Sequence, residues 1–388
     1  MRSIHTAWAE IDLKALRNNL AQVRRRIPGR NTQILAVVKA DAYGHGMKRV
    51  AKVLAKSGVQ FFGVANIDEA TELRSVCPTQ RILVLGSFHA SQLPFFIHYR
   101  ITPTVSSVED VQVLSRFLKS DLTHDSRLRG NDNSRPFPVH VKIDTGMGRL
   151  GVWHEDLEQF FSVLKTSPNL YVEGVYTHFS SADKADKKFT RQQIERFRKA
   201  VQKIEALGIR PKYFHAANSL GLLRFAKAHL NLVRPGIILY GIQPDKNIAN
   251  VPGLKPVLSL KARVSFLKSV KKGASISYGA SYITPQATQI ATLPIGYSHG
   301  YRVGFSNKAF VAIRGRKYPV VGRVTMDQTL VDLGPRARVC RWETVTLIGR
   351  DKNINISAED LASLIGSIPY EIVCSIHSRI PRIYKGIR

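Results

Sequence analysis

Ile34-Leu-Ala-Val-Val-Lys-Ala-Asp-Ala-Tyr-Gly-His-Gly46 sets an unbroken apolar run against a lysine, a tyrosine and two glycines, and a helical pattern follows at once in Met47-Lys-Arg-Val-Ala-Lys-Val-Leu54. An apolar run this short, without polar alternation, suits a strand buried on both faces, as in a parallel sheet. Lysine is almost never fully buried without a partner. Lys39, which ends the run, is therefore either reaching for water or doing chemistry. Desolvation lowers an amine's pKa and makes it nucleophilic, the condition for a Schiff base with an aldehyde cofactor. Tyr43, Gly44 and Gly46 then open the helix, a segment able to bring a phenol and backbone N–H groups near an anion.

The same unit repeats outward from this stretch. Asp12 can cap a helix whose Leu13, Leu16, Leu20, Val23 and Ile27 share a face. Short apolar runs at Phe61–Ala65, Ile82–Leu85, Thr102–Val105, Val139–Asp144, Val172–Thr177, Tyr213–His215 and Leu232–Arg234 read as strands. Helical patterns near 47–57, 67–75, 90–99, 107–119, 154–165 and 186–207 lie between them, the last with Ile194, Phe197, Val201 and Ile204 at helical spacing. Repeated βα units imply a parallel sheet, closed or open. The candidate site residues that the resemblance described below implies lie at the ends of many successive strands, which favours an α/β fold with an N-terminal (β/α)8 TIM-type barrel over an open sheet with one crevice. Beyond about residue 250 the pattern changes to strands joined by Gly- and Lys-rich turns: Val257–Phe266, Ala309–Ile313 and Thr344–Ile348, with one clear helix at Ser357–Ile365. The expected division is a barrel over 11–245 and a mostly β domain over 246–388. The polar stretch Leu122–Pro136, within 118–137, reads as a flexible surface insertion.

The chain has 388 residues, 44% of them hydrophobic, enough for a large core. No window approaches the roughly 18 apolar residues of a membrane helix. Met1–Glu10 lacks the apolar core of a signal peptide. Cys77, Cys340 and Cys374 lie far apart without metal-ligand spacing, so no metal is expected and reduced thiols in the cytoplasm are. The formal charge of +30 raises nucleic-acid binding. The basic residues are scattered, however, with only short clusters at Arg24–Arg26, Lys187-Lys188 and Lys271-Lys272, and no nucleic-acid module is visible. A solvated basic surface is the expectation.

The Lys39 segment resembles the cofactor-lysine motif of the bacterial alanine racemase family, whose cofactor is pyridoxal 5'-phosphate (PLP). Further blocks follow in that family's order: Val141-Lys-Ile-Asp-Thr-Gly-Met-Gly-Arg-Leu-Gly151, Glu173-Gly-Val-Tyr-Thr-His178, His215-Ala-Ala-Asn-Ser219, Val233-Arg-Pro-Gly-Ile237, Ser277-Tyr-Gly-Ala280, Pro294-Ile-Gly-Tyr-Ser-His-Gly300, Gly322-Arg-Val-Thr-Met-Asp327 and Ile368-Pro-Tyr-Glu371. The resemblance implies interconversion of L- and D-alanine for peptidoglycan by two bases, Lys39 acting on the D isomer and Tyr278 on the L isomer. It implies PLP contacts from Lys39, Tyr43, His178, Asn218, Ser219, Arg234, Gly236, Ile237 and Tyr370, and substrate contacts from Arg149 and the Met326 N–H. Lys142 is the candidate for carbamylation by CO2, which would turn a cation into an anion able to hold Arg149. Arg234 stands where an acid would keep the ring nitrogen protonated. Arginine cannot take up that proton, so the ring stays a weaker electron sink.

The resemblance also implies a homodimer with shared sites, Tyr278 and Met326 coming from the partner, and residues 1–10 packed with the β domain. Tyr297 belongs to a substrate-entrance block, in which His299 replaces the family's usual acid. Three other readings compete. A PLP-dependent decarboxylase of basic amino acids would bring an acid to the ring and a cysteine to the site. A non-enzymatic PLP-binding homeostasis protein has the barrel alone. A broad-specificity amino-acid racemase tends to lack the lysine at position 142.

Overall fold

The computed structural model describes residues 4–27, 29, 31–120, 136–244 and 251–386. They divide into a β-rich unit, comprising residues up to Asn19, Tyr43–Gly46 and Tyr240 onward, and a barrel unit, Leu20–Ala42 with Met47–Leu239.

In the barrel unit, parallel strands Gln33–Val37, Phe61–Val64 and Arg81–Val84 pair in register, Leu35 against Phe61 and Phe61 against Arg81. A parallel bridge from Leu83 to Thr102 leads to Thr104–Val105, which pairs with Phe137–Asp144. Leu170–Tyr176 and Tyr213–His215 follow. Leu232–Val233 pairs with Gln33–Ile34. The ring closes where Phe214 N–H donates to Asn231 Oδ1 (2.7 Å) and Arg234 N–H to Ala217 O (2.9 Å). A two-residue strand, Val152–Trp153, lies beside Phe137–Asp144. The expected closed barrel is thus present. Its strands read as apolar runs because both faces are covered: Phe61–Val64 is buried throughout.

Helices alternate with the strands where the caps demand. Asn66 caps Ile67–Arg74 through Glu69 N–H (2.9 Å), and Ser107 and Asp110 form a capping box on Val108–Lys119. The insertion expected over 118–137 falls almost wholly outside the described residues; of its flanks, Leu118 and Lys119 finish that helix and Phe137 opens a strand. On Lys188–Ala206 the buried stripe is Thr190, Gln193, Phe197, Ala200 and Ile204, with the expected Ile194 and Val201 only half-buried.

In the β-rich unit, Ala7–Asp12 pairs antiparallel with Leu258–Arg263 and parallel with Arg382–Lys385, so the first strand joins this sheet. Thr344–Asp351 and Phe310–Ile313 extend it. The single strand expected over Val257–Phe266 is two. Leu258–Arg263 alternates buried and half-buried residues in the large sheet, while Phe266–Val270 pairs with Thr288–Leu293 in another. The chain turns at Val264 and Ser265, whose N–H groups donate to Glu343 O, just before a strand of the large sheet, and to Thr292 O on the other sheet. A second helix, Pro369–Cys374, joins the expected one, found at Ala358–Leu364. Proline at its start hid it in the sequence, although proline is well tolerated in a first turn. Among the described residues no helix is long and apolar enough to cross a membrane.

Candidate active site

Lys39 follows the buried strand Gln33–Val37, and the chain then takes a conformation the sequence did not signal. Ala40, Asp41, Ala42 and Tyr43 have φ of 52°, 51°, 55° and 55°, and Gly44 has 77°, so the helical segment Lys39–Gly44 is left-handed from Ala40 on. Each non-glycine residue there costs about 1–2 kcal/mol. Fixed partners offset that cost. Glu69 bridges two segments, accepting from Ala40 N–H with Oε1 (2.7 Å) and from Ala65 N–H with Oε2 (2.8 Å). Ala42 N–H donates to Val38 O (2.8 Å), and Asp41 Oδ1 accepts from Met47 N–H (2.7 Å).

At the C-terminal ends of the barrel strands the sequence-picked residues converge on Arg234, which is buried. Nη1 donates to His215 O (2.8 Å) and His215 Nδ1 (3.0 Å). Nη2 donates to Thr177 O (2.6 Å) and lies 3.2 Å from Ala216 O and 3.4 Å from His178 Nδ1. These contacts occupy the four terminal N–H groups and leave Nε–H over. Among the described residues no carboxylate pairs with this guanidinium. Burial lowers its pKa to about 10, opposed by Tyr176, so it stays a cation at neutral pH. Burial, then the charges of Arg234, Arg149, Lys142 and Lys39, push His178 well below the ordinary histidine range, so it is neutral. Each ring nitrogen has a donor beside it, the Arg234 Nη2 group at Nδ1 and the Asn218 side-chain amide at Nε2. Asn218 Nδ2 is 3.5 Å from that atom, while Asn218 Oδ1 caps Gly221 N–H (2.8 Å) at the start of Ser219–Arg224.

Lys142 is 4% exposed. Burial first, then Arg149 and Arg234, lowers its pKa to about 8 against a smaller opposing pull from Asp144. Asp144, two residues on, organises the glycine turn that carries Arg149. Its Oδ1 accepts from Gly146 and Met147 N–H (both 2.8 Å) and its Oδ2 from Arg149 N–H (3.2 Å). The turn closes at Gly151 (φ 124°), where a Cβ would lie 2.9 Å from Asp144 N and Lys142 O. Ser219 is buried, and its Oγ accepts from Gly236 N–H (2.9 Å). The amide of Gly236, expected to serve an anion directly, thus serves this hydroxyl, and Ile237 begins a 3-10 turn just after it.

The β-rich unit gathers three more blocks. Ser277 Oγ donates to Arg323 O (2.6 Å), Tyr297 N–H to Thr325 O (3.0 Å) and Ser298 N–H to Met326 O (3.0 Å). Tyr278, Tyr297 and Met326 therefore share one surface, 70%, 46% and 54% exposed. His299 takes over a capping role, Nδ1 accepting from Gly296 N–H (3.2 Å). Tyr370, on Pro369–Cys374, lies with Tyr43 in an aromatic cluster, ring centroids 6.1 Å apart, and Tyr43 is 5.0 Å from Tyr240. Among the described residues no group of three or more His, Cys, Asp or Glu could hold a metal.

The profile of the alanine racemase N-terminal domain matches residues 11–244 and that of its C-terminal domain residues 257–384. The alanine racemase of Carboxydothermus hydrogenoformans is 41% identical over 97% of this chain and 99% of its own. This chain belongs to the alanine racemase family. The Bacillus anthracis alanine racemase solved with bound L-Ala-P superposes with a TM-score of 0.90 at 36% identity, covering 100% of this chain and 96% of that one. The Bartonella henselae alanine racemase with covalently bound pyridoxal phosphate gives 0.85 at 28% identity, over 98% and 100%. Family membership sets aside the decarboxylase and the barrel-only homeostasis protein. Several supporting residues of this alanine racemase family member escaped the sequence reading. Tyr176 stacks on His215 (4.7 Å, 10°) and presents its ring to Lys142 and Arg234. Gln193 donates to His178 O (3.2 Å) from a helix face read as apolar. Glu69 gave no signal, since the turn it holds was not foreseen. Asp144 did give one, because Asp-Thr-Gly is a turn-forming order.

Proposed function

We propose that this chain interconverts L- and D-alanine with PLP held on Lys39, as a cytoplasmic homodimer, and so supplies D-alanine for peptidoglycan. The observation that carries the reading is buried Arg234, with its four terminal N–H groups committed to carbonyls and histidines and Nε–H left over. A cofactor nitrogen held against that donor would meet, among the described residues, no acid to protonate it. Other residues fit PLP as well. The Ser219 hydroxyl, with Gly236 behind it, Asn218 capping the helix beneath and Ile237 would supply a phosphate's hydrogen bonds. When bound, PLP supplies an electron sink for the pair left at Cα.

The chain's own groups move the proton. Racemisation needs an acid–base group on each face of a planar carbon. Lys39 serves one face, taking the proton of D-alanine, and the partner subunit's Tyr278 serves the other, taking that of L-alanine. A phenol is largely protonated at neutral pH, and a donated hydrogen bond stabilises its anion. Neutral His178, which carries a single ring N–H, is the donor assigned to it. Arg149 and the partner's Met326 N–H orient the substrate carboxylate. Lys142, carbamylated, presents an anion to Arg149. The exposure of Tyr278 and Met326 in a single chain supports the shared site.

Purified protein given PLP should form D-alanine from L-alanine on chiral chromatography, with little turnover of other L-amino acids. Borohydride should fix PLP to the wild type and not to Lys39→Ala, read by intact mass, and that variant should be inactive. Absence of D-alanine formation by the wild type would overturn the assignment. Comparable turnover of many amino acids would make it a broad-specificity racemase.

A further inference from the structure

Behind Arg234 a line of polar groups runs through the barrel interior to its N-terminal end. His215 Nε2 is 2.9 Å from His140 Nδ1, and both rings are fully buried. His140 Nε2 is 3.5 Å from Glu173 Oε2 and has no other partner among the described residues. Glu173 Oε1 is 2.8 Å from Arg81 Nη1 at the start of its strand. Glu173 is mostly buried and Arg81 half-exposed.

Chemistry gives this line one direction. Arg234 can only donate, so His215 Nδ1 accepts and its proton sits on Nε2. That proton goes to His140 Nδ1, so the proton of His140 also sits on Nε2 and points at Glu173. A carboxylate only accepts, and Arg81 only donates to it. Burial favours neutral rings at both histidines, and Glu173 stays ionised despite its burial, because His140 and Arg81 outweigh that cost. The backbone is built for the arrangement. The pairing slips between Val139 and His140, which leaves Glu173 as the extra residue of a β-bulge, a device that re-aims a side chain. A Cβ on Gly174 would lie 2.4 Å from the His140 ring, so that residue leaves the ring its space.

We propose that Glu173 is a positioning residue for the reaction: anchored by Arg81, it fixes the tautomers of His140 and His215 and so keeps an acceptor, His215 Nδ1, facing Arg234, which holds the guanidinium in place at the site. The proposal rests on the reading of Arg234 given under the proposed function. Removing the acceptor frees the direction of the line. A Nδ1–H on His140 would demand an acceptor at His215 Nε2, hence a Nδ1–H on His215 facing the Arg234 donor.

The test is ¹⁵N-histidine NMR of the PLP-loaded protein, with His215 assigned by its contact to the Tyr176 ring and His140 by its contact to Tyr213. Both rings should be neutral with the proton on Nε2. Glu173→Gln, whose amide oxygen still accepts, should keep both tautomers and most of kcat. Glu173→Leu should lose the single tautomer at His215 and lower kcat about threefold to tenfold, the worth of one hydrogen bond, with KM for alanine nearly unchanged. A cationic or Nδ1–H ring in the wild type, or a His215 tautomer unchanged by Glu173→Leu, would overturn the proposal. Should Glu173→Leu fail to fold, the wild-type tautomers and their retention in Glu173→Gln decide. A protonated ring nitrogen on ¹⁵N-labelled PLP, with both tautomers intact, would refute the reading of Arg234 and leave the positioning role standing.

Discussion

Lys142 offers the sharpest quantitative test. Carbon dioxide reacts only with a neutral amine, the N–C bond forming as a proton leaves. With a pKa of about 8, roughly one Lys142 in ten is neutral at pH 7. An ordinary lysine at 10.5 would be neutral about once in 3,000, so the site raises the reactive fraction about 300-fold. The sign of the linked stability follows from proton counts. Between pH 8 and 10.5 the unfolded chain holds a proton on this amine that the folded chain has lost, so stability rises with pH across that window. Below it, the unmodified folded protein carries a buried ammonium at a cost of about 3 kcal/mol. Lys142→Met should therefore be more stable at pH 7 than wild type stripped of CO2, and this difference should shrink toward pH 10. ¹³CO2-enriched bicarbonate at pH 8 should give a carbamate carbon signal in the wild type, absent in Lys142→Met and fading as the sample is acidified. No such signal in the wild type, or the same one in the variant, would refute the reasoning.

Arg234→Glu should retain PLP while holding its ring nitrogen protonated; pyruvate release from alanine should rise relative to racemisation, and an unchanged ratio would place Arg234 elsewhere. Tyr278→Phe should slow exchange of the L-alanine Cα proton in deuterated water by about 10²–10⁴, the worth of a general base, and spare exchange of the D isomer. Mixing that variant with Lys39→Ala under proven subunit exchange should restore activity, since each mixed dimer has one complete site. Glu69→Ala should lower both Tm and kcat, because a turn with four non-glycine residues at positive φ loses a clamp on Ala40 and Ala65. Equal activity would mean the turn holds without it.

The order of blocks and the apolar runs of the first 240 residues were enough to read the barrel, since strands buried on both faces announce themselves by composition. The run before Lys39 marked that residue, and the resemblance of the later blocks marked Lys142, Arg149, His178, Ser219 and Arg234 as candidates. Three kinds of fact stayed hidden until the chain was folded. Left-handed backbone at Ala40–Tyr43 has no residue signature, because one of its clamps, the Glu69 carboxylate on Ala40 N–H, comes from a distant helix. The burial of Gln193 in place of Ile194 depends on His178 and Thr145 offering it partners. The line from Arg81 through Glu173, His140 and His215 to Arg234 joins four strands, one of them bulged, to the residue that follows a fifth. Sequence periodicity records which side chains leave water and so points to the architecture, while the candidate reactive residues, Lys39 apart, came from the resemblance of the blocks to a known family. Hydrogen-bond direction, handedness and the shifted charge of Lys142 arise between segments far apart in the chain, and only the tertiary structure could set them.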